Sequence, residues 1–411
     1  MREFTGKSTR RTNGDLLSSC SALNPRQNVA RSNPGVRCAK QNGKGVTVRI
    51  LSIQFFIWVG LVFGQAMQAA DWSFVMLGDT RGNRTTTTTG ISDSLGAIAT
   101  KIASLSPDLV MVAGDLCNGN DLPGNATLSY TDQFNYWKAA MNPVYDYVLK
   151  TGIPIYTVRG NHENNDSEGP IIPELKQAYY DAFGKDMPQN WSATGNYTGS
   201  SQVGYSYSKT YKNMTMVVAD QYFYYTAEGY HSLDETWVTD QFQASTTPFN
   251  IFMAHVPIYQ TEGSGGSERF FGTDAAADAT RAAFWGELGA SDVQVYVTGH
   301  IHNETVASTP NGIIQVLAGN GGAPLDPIVN TPEAGVEVLY TNDQFGFSLA
   351  TVRDDSMTIQ YYSLTGNDTW SIAGYTTVIT VPEPSVVCLM GLGLGALGIA
   401  GLRAMRPRRR I

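Results

Sequence analysis

The 411-residue sequence predicts an α/β (α+β) fold in which helices flank a sandwich of two β-sheets. Short apolar strand patterns alternate with helix-length segments in the first part of the central region, which is typical of layered α/β domains. After His302 the pattern changes to short strands with turns between them, which favours a second sheet packed on the first. The predicted helices are 90–104, 133–151, 173–183 and 275–288, and the later strands are 312–317, 345–352 and 356–363, with further strands within 195–219.

Five predicted strands end at residue types that bind metal ions. Four of the five histidines of the chain lie at these junctions. The pair His300-Ile301-His302 alone is evenly balanced between metal ligands and two loop histidines, but the recurrence of the junction favours a metal centre. The strands are 74–77, 109–113, 155–158, 251–254 and 293–297, followed in order by Asp79, Asp115, Asn161 with His162, His255, and His300 with His302.

The first 70 residues resemble targeting sequence rather than folded domain. Residues 1–44 are polar and basic without periodicity, which indicates disorder or an upstream extension caused by a misplaced start site. Lys44 and Arg49 precede an apolar run that ends in small residues, so residues 45–70 have the order of a secretory signal peptide cleaved near Ala70. A permanent anchor is the weaker alternative because the run is short for a membrane span.

The last 31 residues, 381–411, have three parts: Pro382-Glu383-Pro384, the apolar stretch 386–402 and an arginine cluster. Together they resemble the PEP-CTERM sorting tail of bacterial exported proteins. The resemblance implies cleavage by an exosortase-type enzyme, with the protein held in the membrane by its C-terminal helix before processing. An ordinary single-helix anchor is the alternative, and both place residues 71–380 outside the cell, in the envelope or extracellular matrix.

Charge narrows the class of partner. Without residues 1–70 and 385–411, the chain holds 13 basic and 34 acidic residues, a net charge of −21. So acidic a surface argues against a nucleic-acid partner. A small phosphorylated substrate would need a metal ion or local arginine to approach.

In order, Gly78-Asp79, Gly114-Asp115, Gly160-Asn161-His162-Glu163, His255 and Gly299-His300-Ile301-His302 resemble the motifs of the calcineurin-like metallophosphoesterase family. The resemblance covers about 72–364 and implies a four-layer metallophosphoesterase β-sandwich with two metal ions at the strand ends. By matching positions, Asp79 and His302 would hold the first ion, Asp115 would bridge, and Asn161, His255 and His300 would hold the second.

These residue types suit phosphoester chemistry. A bridging carboxylate can hold two divalent or trivalent ions about 3.5–4 Å apart, which activate a hydroxide and bind phosphate oxygens. Iron, zinc and manganese all accept such ligands. His162 is the predicted catalytic residue, because it follows Asn161 and can donate a proton to the leaving oxygen or stabilise the transition state. The alternative is a loop histidine bonded to Glu163.

The first motif departs from the family pattern Asp-x-His, because the chain has Asp79-Thr80-Arg81. A guanidinium has no lone pair for a metal, so the first ion is expected to bind more weakly than the second, with water, Asn83 or Asn118 completing its ligands. Arg81 is instead predicted to bind the substrate phosphate through paired donors. The alternative is an Arg81 turned outward to solvent.

The sequence therefore predicts an exported metal-dependent hydrolase that acts on phosphomonoester (or diester) bonds. The alternative is a non-catalytic surface protein of the envelope or matrix that retains the fold.

Overall fold

The computed structural model describes residues 71–381 except 124–127, 166–170, 195–199, 223–224, 227–228, 231–232, 262–274, 329–330 and 367. The predicted upstream extension, signal peptide and C-terminal helix lie outside these residues. None of the helices within the described part of the chain is long and apolar enough to cross a membrane.

Seventeen strands are present in the described residues. They are β1 (Trp72–Leu77), β2 (Leu109–Val112), β3 (Tyr145–Asp146), β4 (Thr151–Gly152), β5 (Ile155–Thr157), β6 (Tyr207–Tyr211), β7 (Met214–Val218), β8 (Tyr225–Thr226), β9 (Gly229–Tyr230), β10 (Phe249–Met253), β11 (Val295–Thr298), β12 (Glu304–Ser308), β13 (Ile314–Ala318), β14 (Glu337–Asn342), β15 (Gly346–Val352), β16 (Ser356–Gly366) and β17 (Thr369–Thr380).

Two large sheets form the centre of the domain. The first has the order β17-β16-β15-β1-β2-β5 and the second the order β14-β12-β13-β11-β10-β7-β6. Strands β1, β2 and β5 are parallel, as are β7, β10, β11 and β13. Parallel strands bring their carboxyl ends to one edge of a sheet, so the strand-end residues of the sequence pattern are gathered together.

Strands β15 to β17 form an antiparallel meander on the first sheet. In register, Trp72 pairs with Val352, Val352 with Met357 and Met357 with Ile379. The expectation that the strands after His302 build the second sheet is wrong in part. Strands β15 and β16 join the first sheet beside β1, while β12, β13 and β14 join the second.

Both faces of the first sheet carry buried side chains. Successive side chains of a strand point to opposite faces, so each strand contributes to two layers of the core. Phe74 and Met76 point into the core between the sheets, whereas Val75 and Leu77 pack with Ile98 and other residues of the outer helices. The second sheet repeats this arrangement: Met253 and Val297 face the first sheet, and Phe252 and Tyr296 pack with Trp285 on the other side. The result is helix, sheet, sheet, helix, which confirms the predicted four-layer α/β sandwich.

Five α-helices are described: α1 (Leu95–Leu105), α2 (Tyr130–Ala140), α3 (Pro173–Ala182), α4 (Glu235–Gln243) and α5 (Ala275–Ala290). The predicted helix 133–151 is wrong over its second half. Helix α2 ends at Ala140 because Asn142 precedes Pro143, a position that disfavours helical backbone, and the chain then turns into the β3-β4 hairpin. Helix α4 was not predicted; Asp234 begins it by accepting a hydrogen bond from the Trp237 N–H.

Candidate metal centre

The densest group of metal-ligand types lies beyond β5, β10 and β11. His255 Nε2 is 3.0 Å from Asn161 Oδ1 and 3.3 Å from His300 Nδ1, and His300 Nδ1 is 3.1 Å from Asn161 Oδ1. Asp115 Oδ1 lies 3.4 Å from His255 Nε2. Ligand atoms bound at about 2.1 Å to one ion stand about 3.0–3.4 Å apart, so these four atoms fit a single metal ion.

The tautomer of His255 supports this fit. Its Nδ1 lies 2.6 Å from the Ala113 carbonyl and donates to it, which leaves a lone pair on Nε2. Burial lowers the pKa of His255 to about 4, so the imidazole is neutral. The Nε2 lone pair faces the amide oxygen of Asn161, which also carries lone pairs, so the two atoms repel each other. A cation between them would remove this repulsion. We call Asp115, Asn161, His255 and His300 the histidine position.

Asp115 connects this position to a second group. Its Oδ1 accepts the His162 N–H at 3.0 Å, and its Oδ2 lies 3.5 Å from Arg81 Nε and 3.8 Å from His162 Nε2. Burial acts to raise the pKa of Asp115, but the adjacent imidazoles of His162 and His255 and the Arg81 guanidinium outweigh burial and hold its pKa below the ordinary value. Asp115 is therefore a carboxylate that faces both groups.

The second group contains Asp79, Asp115 and His302, whose ligand atoms all lie within 4.8 Å of one another. Asp79 Oδ2 accepts the His300 N–H at 2.9 Å, while buried Asp79 Oδ1 has no hydrogen-bond partner among the described residues and lies 3.7 Å from His302 Nε2. Burial and the Asp115 charge raise the pKa of Asp79. A buried carboxylate oxygen without a hydrogen-bond donor costs free energy, and a nearby cation offsets that cost. We call this group the aspartate position.

Arg81 supplies a cation at the aspartate position. Its side chain is buried, Nη2 is 3.2 Å from His302 Nε2, and Nη1 donates to the Gly82 carbonyl at 3.2 Å. The alternative of an Arg81 turned outward to solvent is therefore wrong. Whether a second metal ion fits here depends on this guanidinium.

The backbone at the strand ends is strained in a way that aims these side chains. Asp79, Asp115 and His300 have positive φ angles of 54°, 52° and 76°. Left-handed backbone costs non-glycine residues of order 1–3 kcal/mol each and is concentrated at functional sites. Glycine is needed beside them, because a Cβ on Gly160 would collide with Asp115 Oδ1 and one on Gly299 with Asp79 Oδ2.

His162 lies at the edge of both positions. Its Nδ1 is 3.1 Å from the Asn118 carbonyl, and its Nε2 is 3.3 Å from Arg84 Nη2. Burial, together with Arg81 and Arg84, lowers the pKa of His162 to about 4 despite the Asp115 charge. The Glu163 carboxylate is engaged elsewhere, with backbone N–H groups, so the alternative of a His162–Glu163 pair does not describe this loop.

Two residues near the site were not predicted. Arg84 donates to Asp121 at 2.6 Å and reaches His162, although its side chain remains 47% exposed. Asp326 Oδ2 accepts the His302 N–H at 3.0 Å. Neither residue follows a strand in the sequence, so the pattern that identified the other residues gave no signal for them.

The structure thus brings all six predicted metal ligands into two adjoining groups that share Asp115, with His162 and Arg81 beside them. These residues are Asp79, Asp115, Asn161, His255, His300 and His302. His302 also donates from Nδ1 to the Pro324 carbonyl at 2.9 Å, which directs its Nε2 toward the site.

The calcineurin-like phosphoesterase family model matches residues 73–304, more than half of the chain. The model of the PEP-CTERM protein-sorting motif matches residues 380–409. Both matches confirm the resemblances drawn from the sequence. The comparison with curated proteins found no match.

Solved structures show the same fold at low identity. The purple acid phosphatase PPD1 of yellow lupin (Lupinus luteus) is 18% identical with a TM-score of 0.52, and the match covers 76% of this chain and 54% of that one. PhoD is 16% identical with a TM-score of 0.53, over 76% of this chain and 70% of PhoD. The chain therefore spans about half the length of the lupin phosphatase. By its family match and its sandwich of two sheets, the chain belongs to the calcineurin-like phosphoesterase family.

Proposed function

We propose that this protein is an exported, metal-dependent phosphoesterase that hydrolyses phosphomonoester (or diester) bonds of small substrates. The observation that supports this most directly is the histidine position, where lone-pair atoms of Asn161, His255 and His300 converge beside the Asp115 carboxylate. A purely structural histidine pair would not need a carboxylate and an amide oxygen at the same point.

The histidine position would hold iron, zinc or manganese through two imidazoles, an amide oxygen and a carboxylate. When bound, such an ion supplies a nucleophile by lowering the pKa of water and draws charge from phosphoryl oxygens. In the dinuclear mechanism expected from the sequence, Asp79 and His302 would hold a second ion at the aspartate position, and Asp115 would serve both ions. The number of ions depends on Arg81, whose guanidinium lies at the aspartate position.

His162 and Arg84 would act on the substrate. Nδ1 of His162 donates to the Asn118 carbonyl, so Nε2 is the atom that would take up a proton and pass it to the leaving oxygen, and the negative charge of a bound phosphate would favour that uptake. Arg84 lies 3.3 Å from this Nε2, and its half-exposed guanidinium can contact a phosphate oxygen. Buried Arg81 would contact the same phosphate from the aspartate position. These two arginines offset the acidic surface locally.

Export is supported by the PEP-CTERM match at residues 380–409. We propose that the signal peptide 45–70 directs export, that the C-terminal helix holds the chain in the membrane, and that an exosortase-type enzyme then cleaves the tail. Residues 71–380 would be the phosphoesterase domain, delivered to the envelope or matrix.

The test is turnover of p-nitrophenyl phosphate and bis(p-nitrophenyl) phosphate by the full chain in detergent, with added manganese, iron or zinc. We expect turnover that Asp115→Asn abolishes and the exposed control Asp343→Asn leaves unchanged. No turnover of either ester by folded, metal-loaded protein would instead favour a non-catalytic surface protein.

A further inference from the structure

The aspartate position already contains a positive charge that belongs to the chain itself. Arg81 is buried between the two side chains that would ligate an ion there, with Nη2 3.2 Å from His302 Nε2 and Nε 3.5 Å from Asp115 Oδ2. We infer that the guanidinium of Arg81 takes the place of one metal ion, so that the chain binds a single ion, at the histidine position. This inference rests on the proposed metal-dependent function.

The lone pair of His302 is the first argument. Its Nδ1 lies 2.9 Å from the Pro324 carbonyl and 3.5 Å from Asp326 Oδ2, both of which are acceptors, so Nδ1 carries the proton. Nε2 therefore has the lone pair, and that lone pair accepts a hydrogen bond from Arg81 Nη2. A metal ion could bind Nε2 only by displacing this donor.

Charge balance is the second argument. A guanidinium is a permanent cation, and a buried cation must keep its carboxylate partner. Asp115 provides that partner, and Asp79 Oδ1, for which the described residues offer no hydrogen-bond donor, lies 3.7 Å from His302 Nε2. A divalent ion placed here would stand against a fixed guanidinium in a buried environment, which weakens its binding strongly.

The backbone of Arg81 is the third argument, because it holds the side chain in place. The Arg81 N–H donates to the Asp115 carbonyl at 3.0 Å, the residue forms a bridge with Ile91, and Nη1 donates to the Gly82 carbonyl. The backbone of Arg81 is thus fixed by two contacts, and its guanidinium is held by the Gly82 carbonyl, so the guanidinium cannot move away from the aspartate position without losing that hydrogen bond.

The histidine position differs in this respect. Atoms close to His255 Nε2 are themselves ligand types, at 3.0 Å (Asn161 Oδ1), 3.3 Å (His300 Nδ1) and 3.4 Å (Asp115 Oδ1). The two positions therefore have different roles. The histidine position would bind the ion, and Arg81 at the aspartate position would supply a permanent positive charge toward the phosphate group of the substrate.

The experiment measures metal stoichiometry rather than activity. Full-length protein is stripped with a chelator, reloaded with excess Mn²⁺, desalted and analysed by inductively coupled plasma mass spectrometry and Mn²⁺ electron paramagnetic resonance. We expect one equivalent and a mononuclear spectrum for the wild type. Arg81→His removes the cation and adds an imidazole, so two equivalents and a spin-coupled spectrum are expected, while the exposed control Arg353→His stays at one.

Two equivalents in the wild type, or one equivalent in folded Arg81→His, would overturn the inference. If Arg81→His does not fold, a histidine pair decides the question: His302→Gln should keep the single equivalent and His255→Gln should lose it. Loss of metal in folded His302→Gln would also overturn the inference. Absence of turnover with one equivalent bound would count against the proposed function alone, since stoichiometry is read without substrate.

Discussion

His162 is held in one orientation by groups on both sides of its ring. The Asn118 carbonyl binds Nδ1 and Arg84 approaches Nε2, while the backbone N–H of His162 is bound to Asp115. The hydrogen bonds of the ring are made with Asn118 and Arg84, neither of which belongs to the histidine position. They hold the ring beside the proposed metal ligands. A residue in this arrangement should affect the chemical step and leave ion binding intact.

We accordingly predict that His162→Ala lowers kcat by about 10²- to 10⁴-fold, the usual range for loss of a general acid. Metal content should remain at the wild-type level, because the side chain of His162 is not among the atoms of the histidine position. Steady-state kinetics and mass spectrometry of the same preparation check both parts. A parallel loss of metal would show that His162 holds the ion instead.

At the scale of residues, the sequence predicted which side chains form the site but not their backbone conformation. Asp79, Asp115 and His300 could be predicted because each lies two or three residues beyond the end of a strand. Their positive φ angles could not, since left-handed backbone at a non-glycine residue depends on contacts with other strands. Arg84 was not predicted because its approach to His162 depends on the path of the loop between β1 and α1, which the sequence pattern does not indicate.

At the scale of elements, the loops after β2 and β5 are joined by one carboxylate. Glu163 accepts backbone N–H groups from Asp115 at 2.9 Å, Leu116 at 2.8 Å, Cys117 at 3.0 Å and Gly160 at 2.8 Å. Four donors from two loops meet at a side chain that solvent does not reach. Glu163 thereby fixes the distance between Asp115 and the loop that carries Asn161.

Glu163→Gln should lower the free energy of unfolding by about 1–3 kcal/mol, because the amide NH₂ meets backbone donors and leaves at least one of them unpaired. Denaturant unfolding of the metal-free protein measures this change, with the exposed Glu337→Gln as control. Mn²⁺ affinity should fall in the same variant, since the loops lose their spacing. An unchanged unfolding midpoint would show that the loops are held by other contacts.

Elements with strong local signals were predictable, and elements defined by tertiary contacts were not. Helix α3 matches its predicted range because Pro173 begins it, and Pro143 in the sequence already limits α2. Sheet membership could not be read from periodicity. The pairing of β15 with β1 joins residues more than 270 positions apart, and only packing of the whole domain selects it.

At the scale of the whole molecule, a buried carboxylate links the two sheets. Glu304 begins β12 of the second sheet, accepts a hydrogen bond from Ser348 of β15 in the first, and is 3.3 Å from Asn342 Nδ2 of β14. Burial raises the pKa of Glu304 from its ordinary 4.5 to about 7, against the effect of these donors. The folded protein therefore holds a proton there that the unfolded chain releases.

This difference predicts a pH dependence of stability. The contribution of protonated Glu304 is fully present below pH 4.5 and is lost as the pH rises to about 7. At 1.36 kcal/mol per pKa unit the loss is about 3 kcal/mol, and Glu304→Gln should remove it. Denaturant unfolding of wild type and variant at pH 5 and pH 8 checks this, again with Glu337→Gln as control. An equal pH dependence in both proteins would contradict it.

Processing of the tail is a second property of the whole chain. Replacing Pro382-Glu383-Pro384 by alanines should leave the protein in the membrane fraction, since the exosortase-type enzyme would lose its recognition sequence. Fractionation of cells that express the wild type and the variant measures this. Release of the altered protein at the wild-type level would rule out cleavage at this motif.

The meander β15-β16-β17 determines how a tethered domain would be oriented. Ile379 near the end of β17 lies at the same end of the first sheet as Trp72, which begins β1, because the pairings across β15 and β16 connect them. Asp79 follows the other end of β1, so β17 ends on the opposite side of the sandwich from Asp79. The six residues of β1 separate the two ends by about 20 Å at 3.3 Å per residue. A domain tethered by its tail would therefore be attached at the end of the sandwich opposite the metal centre.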